Sequence, residues 1–443
     1  MTDPLSLRLA REQAERRLPS ISAAWVRDGE IRWQHAVGTQ DARPYGAAVT
    51  PDTQYRIGSI TKTFVAVLVM RLREEGALSL DDELEQFLPG TAMPTATVRS
   101  LLSHAAGMRA ETENSWWERT PGVDEQELRR QLIARDLAVG RFHYSNVGYG
   151  ALGAVVARLR GRSWLDCVRD EILGPLEMTR TTNRPQAPHA SGLAVHPYAD
   201  LVLAEPEHDA AAMAPAGQLW STTGDLARFA AFLHAGLDGV LPATALAEMK
   251  RPHSWDDAPG AAWTRAYGLG LDVVNTAGIR VHGHGGSMPG FLAALRFRAD
   301  GDGLVVLANT THGLSTTLVG DLFDTVDRRF PRTPEVWHAR PADAALLELT
   351  GEWFWGPSRL ALHVRADRWL ELSPVVSGRG ARFRPTGPDT WEGQDGYYLG
   401  ETLTVVRPVG RPPHLDLASF RLSRTPYDPE ADIPGGVDPL GWS

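Results

Sequence analysis

Ser59 and Lys62 stand three residues apart in the segment RIGSITKTFVAVLVMRLREEG. A serine hydroxyl becomes a useful nucleophile when a base takes its proton and donors await the charge developing on the attacked carbonyl oxygen. The apolar run after Ser59 predicts a helix reaching to about Glu75, so a spacing of three returns the Lys62 amine to the face that carries the hydroxyl. Ser59 would then sit at a helix N-terminus, where free N–H groups favour negative charge. The choice of lysine carries information of its own. Of 45 basic residues only Lys62 and Lys250 are lysine, and 43 are arginine. Arginine fills generic surface roles but stays protonated, whereas a desolvated lysine can give up its proton and act as a base. Ser-x-x-Lys at a helix start is thus the pattern of a serine nucleophile activated by an amine. An ordinary helix start with a snorkelling lysine fits the same four residues.

Two further clusters could complete such a site. In RFHYSNVGYGALG, Tyr144 offers a hydroxyl able to relay or accept a proton, and Asn146 an amide able to hold a substrate carbonyl. A helix cap by Ser145 or Asn146 explains that tripeptide equally well. In IRVHGHGGSMPGFLAALRF, Gly285 and Gly286 would let a substrate backbone approach a strand, and the N–H of the following residue could enter an oxyanion hole. His282 and His284 form His-x-His, but no nearby carboxylate or cysteine supplies a usual ligand partner, and no metal or other cofactor is expected. Trp116 and Trp117 lie in a Pro/Gly-flanked loop and either wall an acyl pocket or simply pack. Ser103-His104 resembles a nucleophile–base pair set within a helical run. No Gly-x-Ser-x-Gly occurs, which removes the usual nucleophile elbow of an α/β-hydrolase.

The elements that must position these residues can be read from pattern. At 443 residues two domains are expected, and 43% hydrophobic with 22% charged residues is a globular composition. A net charge of −9 without a basic run argues against nucleic acid or an anionic membrane as partner; the serine chemistry above would act on a small molecule or peptide. The N-terminal twenty residues carry scattered charges and no apolar h-region, so a cytoplasmic protein is expected. The lone Cys167 falls at helical spacing and reads as a buried thiol. Two strands joined at Asp28-Gly29 open the chain, helical patterns fill the region from Ser59 to about Asp170, and strands return after Tyr267. Strands, helices and strands again suggest an α+β domain over residues 1–337, its sheet drawing strands from both ends. A Pro-spaced linker is expected at 338–348. Beyond it, 349–443 reads as a small antiparallel β-barrel or sandwich, with Trp353, Trp355, Trp369 and Trp391 in its core.

Taken in order, YRIGSITKTF, LLSHAAGM, FHYSNVGYGALG, APAGQLWSTTGDLARF and GHGGSMPGF resemble the serine β-lactamase and penicillin-binding-protein-like superfamily, particularly class C β-lactamases, D-stereospecific peptidases and family VIII esterases. The resemblance spans about residues 15 to 330. It implies an antiparallel sheet flanked by helices with an all-helical subdomain, and a lipocalin-like C-terminal domain. It also implies Ser59 as acylated nucleophile, with Lys62 and Tyr144 sharing activation of its hydroxyl and protonation of the leaving group. Asn146 would orient the substrate amide or ester. His284 matches the Lys or His that opens the third motif, Gly286 lies in that motif, and the N–H groups of Ser59 and Ser287 would form the oxyanion hole. Ser103-His104 matches the structural LLSH segment. His284 departs from the lysine of β-lactamases, which favours ester or amide substrates, possibly D-residue peptides, over β-lactams. A thioesterase, peptide cyclase or acyltransferase, a β-lactamase, and a non-catalytic binder on this scaffold are the alternatives, though a binder has no need of Ser59, Lys62 and Tyr144 together.

Overall fold

The protein is described from a computed structural model covering residues 3–113, 116–132, 140–257, 260, 262–276, 278–341, 343–410 and 413–426. The chain divides into two compact units, Met1–Arg332 and Thr333–Ser443.

The first unit is built on an eight-stranded antiparallel sheet. Its order is Glu30–Gly38, Ser20–Arg27, Asp302–Ala308, Phe291–Arg298, Ile279–Met288, Asp272–Thr276, Arg265–Tyr267 and Ser254–Trp255. The first two strands form the expected hairpin, with Asp28 and Gly29 both at positive φ, as a two-residue turn requires. Strands from the two ends of the segment meet where Ser20–Arg27 pairs with Asp302–Ala308. That strand, Asp302–Ala308, is buried along its whole length because helices cover both faces of the sheet. One face holds the helices Pro4–Glu15 and Leu318–Arg329 over Trp25, Leu304 and Val306. The opposite face carries the larger core, into which Thr61–Glu74, Asn146–Arg160 and Thr223–Ala235 pack.

The helix Thr61–Glu74 is buried on almost every side, so its apolar composition reflects an interior position rather than one stripe. Thr222 caps Thr223–Ala235 by accepting from the Asp225 N–H, and Gly236 ends that helix at positive φ. Cys167 is buried in the short helix Trp164–Val168. Among the described residues no helix is long and apolar enough to cross a membrane.

The second unit is a barrel of eight consecutive antiparallel strands, from Gly351–Trp355 to Phe420–Leu422. Reciprocal bonds between Phe354 and Ser423, at 2.8 and 2.9 Å, join its first and last strands. Trp353 and Trp391 fill the core, and their indole N–H groups donate to the Leu349 and Arg368 carbonyls. Trp369 is only partly buried. Trp355 departs from the expected core position: it ends its strand, half exposed and edge-on to Phe420. The interval expected as a linker holds a helical turn, Ala344–Leu347, whose Leu346 packs into the barrel core.

Candidate active site

Ser59 lies in a 3-10 turn, Gly58–Ile60, that runs directly into the helix Thr61–Glu74. The turn is forced against the strand Ile279–Met288. Gly58 adopts φ +52°, and a Cβ there would stand 2.5 Å from the backbone nitrogen of Ser287. A Cβ on Gly286 would stand 2.0 Å from the Ile57 carbonyl oxygen. Only glycine at both positions lets the two main chains touch, which brings the Ser287 backbone beside the turn that carries Ser59. The same strand pairs with Phe291–Arg298 from Val281 to Met288, but its pairing with Asp272–Thr276 stops at Gly283. Gly285–Met288 therefore form an open strand edge among the described residues, available to an extended substrate.

Lys62 is fully buried one helical turn beyond Ser59. Its Nζ lies 2.8 Å from Ser59 Oγ and donates to the Ala216 carbonyl at 2.6 Å. The ring of Tyr144 lies 5.0 Å from Nζ, and that of Tyr149 5.8 Å. Burial lowers the amine to about 7, with Glu111 and Glu118 opposing the fall. An amine lowered this far can be neutral near physiological pH, able to accept the Ser59 proton while one N–H still serves Ala216. Tyr144 stands close enough to Ser59 for the serine to oppose the upward push that burial gives its phenol. It is a neutral hydroxyl at physiological pH, a relay rather than a ready base.

The loop that delivers Tyr144 is fastened by His104. The His104 carbonyl accepts the His143 N–H at 2.7 Å, its Nδ1 accepts the Ser145 N–H at 3.0 Å, and its ring lies 4.2 Å from that of Tyr144. Burial holds His104 well below the usual imidazole range, as an accepting Nδ1 requires. Ser103 Oγ donates to the Arg99 carbonyl instead, so Ser103-His104 is not a nucleophile–base pair. Ser145 caps Asn146–Arg160 by accepting from the Gly148 N–H, leaving the neighbouring side chains free to face the site.

Glu111, which no sequence pattern marked, organises the opposite wall. Its two oxygens accept from Asn146 Nδ2 at 2.6 Å and from Trp117 Nε1 at 2.7 Å. A carboxylate only accepts, so it fixes the Asn146 amide with Oδ1 turned elsewhere, and that buried oxygen has no protein partner. Trp117 is buried, its ring tip 3.6 Å from where a Cβ on Gly217 would stand, beside the Gly58 main chain. Trp116 parts from it: 58% exposed, it stacks under Arg119 rather than lining the turn that carries Ser59.

His284 is buried behind the open strand edge with both ring nitrogens occupied. Nδ1 donates to the Gly285 carbonyl at 2.5 Å, so Nε2 accepts from the Tyr267 hydroxyl at 2.8 Å. Burial is the main cause that lowers it to about 4, against the attraction of Asp272. It is a neutral support at physiological pH and presents no cation to a substrate.

Comparisons with known proteins bear on the family and the fold. Residues 342–424 match a family described as a domain of unknown function (DUF7586). Penicillin-binding protein 4 of Amycolatopsis lactamdurans is 29% identical over 370 residues, covering 77% of this chain and 94% of that protein. A D-stereospecific amidohydrolase from Streptomyces superposes with a TM-score of 0.62 at 26% identity, covering 74% of this chain and 99% of that one. An octameric penicillin-binding protein homologue from Pyrococcus abyssi shares the fold, with a TM-score of 0.64 at 21% identity over 94% and 98% of the two chains. Residues 7–323 match the beta-lactamase family, and with that match spanning the sheet, the helices and every residue of the cleft, the chain belongs to the beta-lactamase family within the penicillin-binding-protein-like superfamily of serine hydrolases.

Proposed function

We propose that the protein hydrolyses small esters or amides, D-residue amides among them, through an acyl-enzyme on Ser59. The observation that carries this reading is the fully buried Lys62 amine, lowered to about 7 and 2.8 Å from Ser59 Oγ. Neutral Lys62 takes the hydroxyl proton as Oγ attacks the substrate carbonyl carbon. The oxyanion that forms is received by the N–H groups of Ser59 and Ser287. Collapse breaks the bond to the leaving amine or alkoxide, which departs with the proton returned from Lys62 through the Tyr144 hydroxyl. Water then attacks the acyl carbon as Lys62 takes one of its protons; the bond from the acyl carbon to Ser59 Oγ breaks, Lys62 returns the proton to Oγ, and the acid leaves.

Two features favour amide-bearing substrates. The free Asn146 Oδ1 suits an N–H on the acyl group, and the open edge at Gly285–Met288 suits an extended backbone. The likeness to a D-stereospecific amidohydrolase points the same way. The neutral, fully bonded His284 offers no charge to the carboxylate of a β-lactam, which places nitrocefin below esters and amides. The test is kcat/KM for p-nitrophenyl butyrate, D- and L-phenylalanine amide and nitrocefin, with the Ser59→Ala background subtracted and intact-mass mapping of a fluorophosphonate adduct. Labelling that persists in Ser59→Ala defeats the nucleophile assignment, and nitrocefin as best substrate reverses the ranking.

A further inference from the structure

The chain's second lysine lies outside this machinery, in a cavity of about 290 Å³ formed by the end of the helix Ala243–Met249 and the start of the strand Ile279–Met288. Lys250, Arg251, Arg280, His234 and His282 line it, and no carboxylate does, in a chain of net charge −9. Lys250 is held in place: Nζ donates to the carbonyls of Leu233 and His234 at 3.2 and 3.1 Å, at the C-terminal end of Thr223–Ala235, leaving one N–H uncommitted. Arg298 contributes to the wall, but Asp302 and Asp327 occupy its guanidinium. Arg251 and Arg280 form no ion pair among the described residues, although most arginines of this domain do. The carboxylates that bear on His234, Asp28 and Asp300, are themselves engaged by Arg332 and Arg298.

The decisive group is His282. It is 6% exposed, lines the cavity, and its Nδ1 has no partner in the protein. A buried polar atom left unpaired is destabilising, and here it sits among clustered cationic side chains. We propose that this cavity binds a compact oxyanion, a phosphate or carboxylate group, between Arg251, Arg280, the free Lys250 N–H and His282 Nδ1. One such group would satisfy the orphan nitrogen and offset the clustered charge. Arginine forks suit its paired oxygens, and the cavity, floored by Phe297 and Ala247, leaves room for a short organic portion beyond the charged group.

The test is isothermal titration of the full chain with sodium phosphate, phenyl phosphate and sodium malonate, against sodium chloride at matched ionic strength. Saturable binding at millimolar concentration or tighter is expected for at least one oxyanion, with a raised Tm. Arg251→Gln with Arg280→Gln should weaken it tenfold or more without changing Tm in the absence of ligand, because both side chains are exposed. Lys250→Met, checked for folding by its own Tm, should weaken it as well. Phenyl phosphate binding tighter than phosphate identifies an organic anion as the natural occupant; equal binding identifies the free ion. No response beyond chloride to any of the three, or undiminished binding in the double arginine variant, overturns the proposal.

Discussion

Replacing Lys62 separates the two roles a buried cation could play beside Ser59. An electrostatic role needs only charge, which Lys62→Arg retains; a proton-transfer role needs an amine that can be neutral. With Lys62 lowered to about 7, the neutral, competent form is accessible near pH 7, and well below that value competence falls about tenfold per pH unit. Arginine, titrating above about 12, leaves fewer than about one molecule in 10⁵ neutral at pH 7. A positioned base contributes about 10²–10⁴-fold, or about 3–5 kcal/mol of barrier. Lys62→Arg should therefore lose several hundredfold in kcat/KM and fall close to Lys62→Met.

Both substitutions enter a fully buried site, so Tm must show that each variant folds. The amine supplies a second readout that does not involve activity. Its folded value lies below the unfolded 10.5, so the unfolded chain binds the extra proton between about pH 7 and 10.5. Wild-type stability should consequently gain a rising contribution with pH across that window, and Lys62→Met should lack it. The assay is kcat/KM for p-nitrophenyl butyrate from pH 5.5 to 8.5, with urea melts of both proteins at pH 7 and 9.5. Arg-variant turnover within about tenfold of wild type, or a wild-type profile flat across pH 7, would refute proton transfer by Lys62.

Three other outcomes follow from the same geometry. Tyr144→Phe removes the hydroxyl that returns a proton to the leaving group, so turnover of an amide should fall a hundredfold or more while a p-nitrophenyl ester, whose leaving group needs no proton, falls far less; equal losses would sink the relay. Glu111→Gln replaces an oxygen that accepts from Asn146 or Trp117 with a donor, so kcat/KM for an N-acylated amino amide should drop tenfold or more with Tm little changed, and an unaltered value would mean the Asn146 orientation is unimportant. Gly58→Ala forces a side chain against Ser287 at positive φ, and fluorophosphonate labelling of Ser59 should slow at least a hundredfold; unchanged labelling would disprove the close packing of the two segments.

Much of this protein was legible in the order of its residues. The Asp28-Gly29 turn, the Thr222 cap and the run of apolar residues after Ser59 are local signals, decided by backbone sterics and hydrogen bonding within a few positions. So was the pairing of Ser59 with Lys62, because i+3 spacing on a helix fixes proximity without reference to the rest of the fold. The strands expected on either side of the helical region did join one sheet. What lay beyond reach depended on partners far away in sequence. Burial, and with it the lowered Lys62 and the neutral His284, comes from packing that no local pattern records. Glu111 sits in a loop with no motif, and it matters only because Asn146 and Trp117 converge on it. Trp116 and Trp117 are adjacent in the chain yet one is exposed and the other buried, a choice made by the surfaces that meet them. Composition made lysine scarce and so marked Lys62 and Lys250 alike; local spacing set Lys62 beside a serine, whereas only the folded chain buried it and placed Lys250 in a cavity lined by cations and no carboxylate.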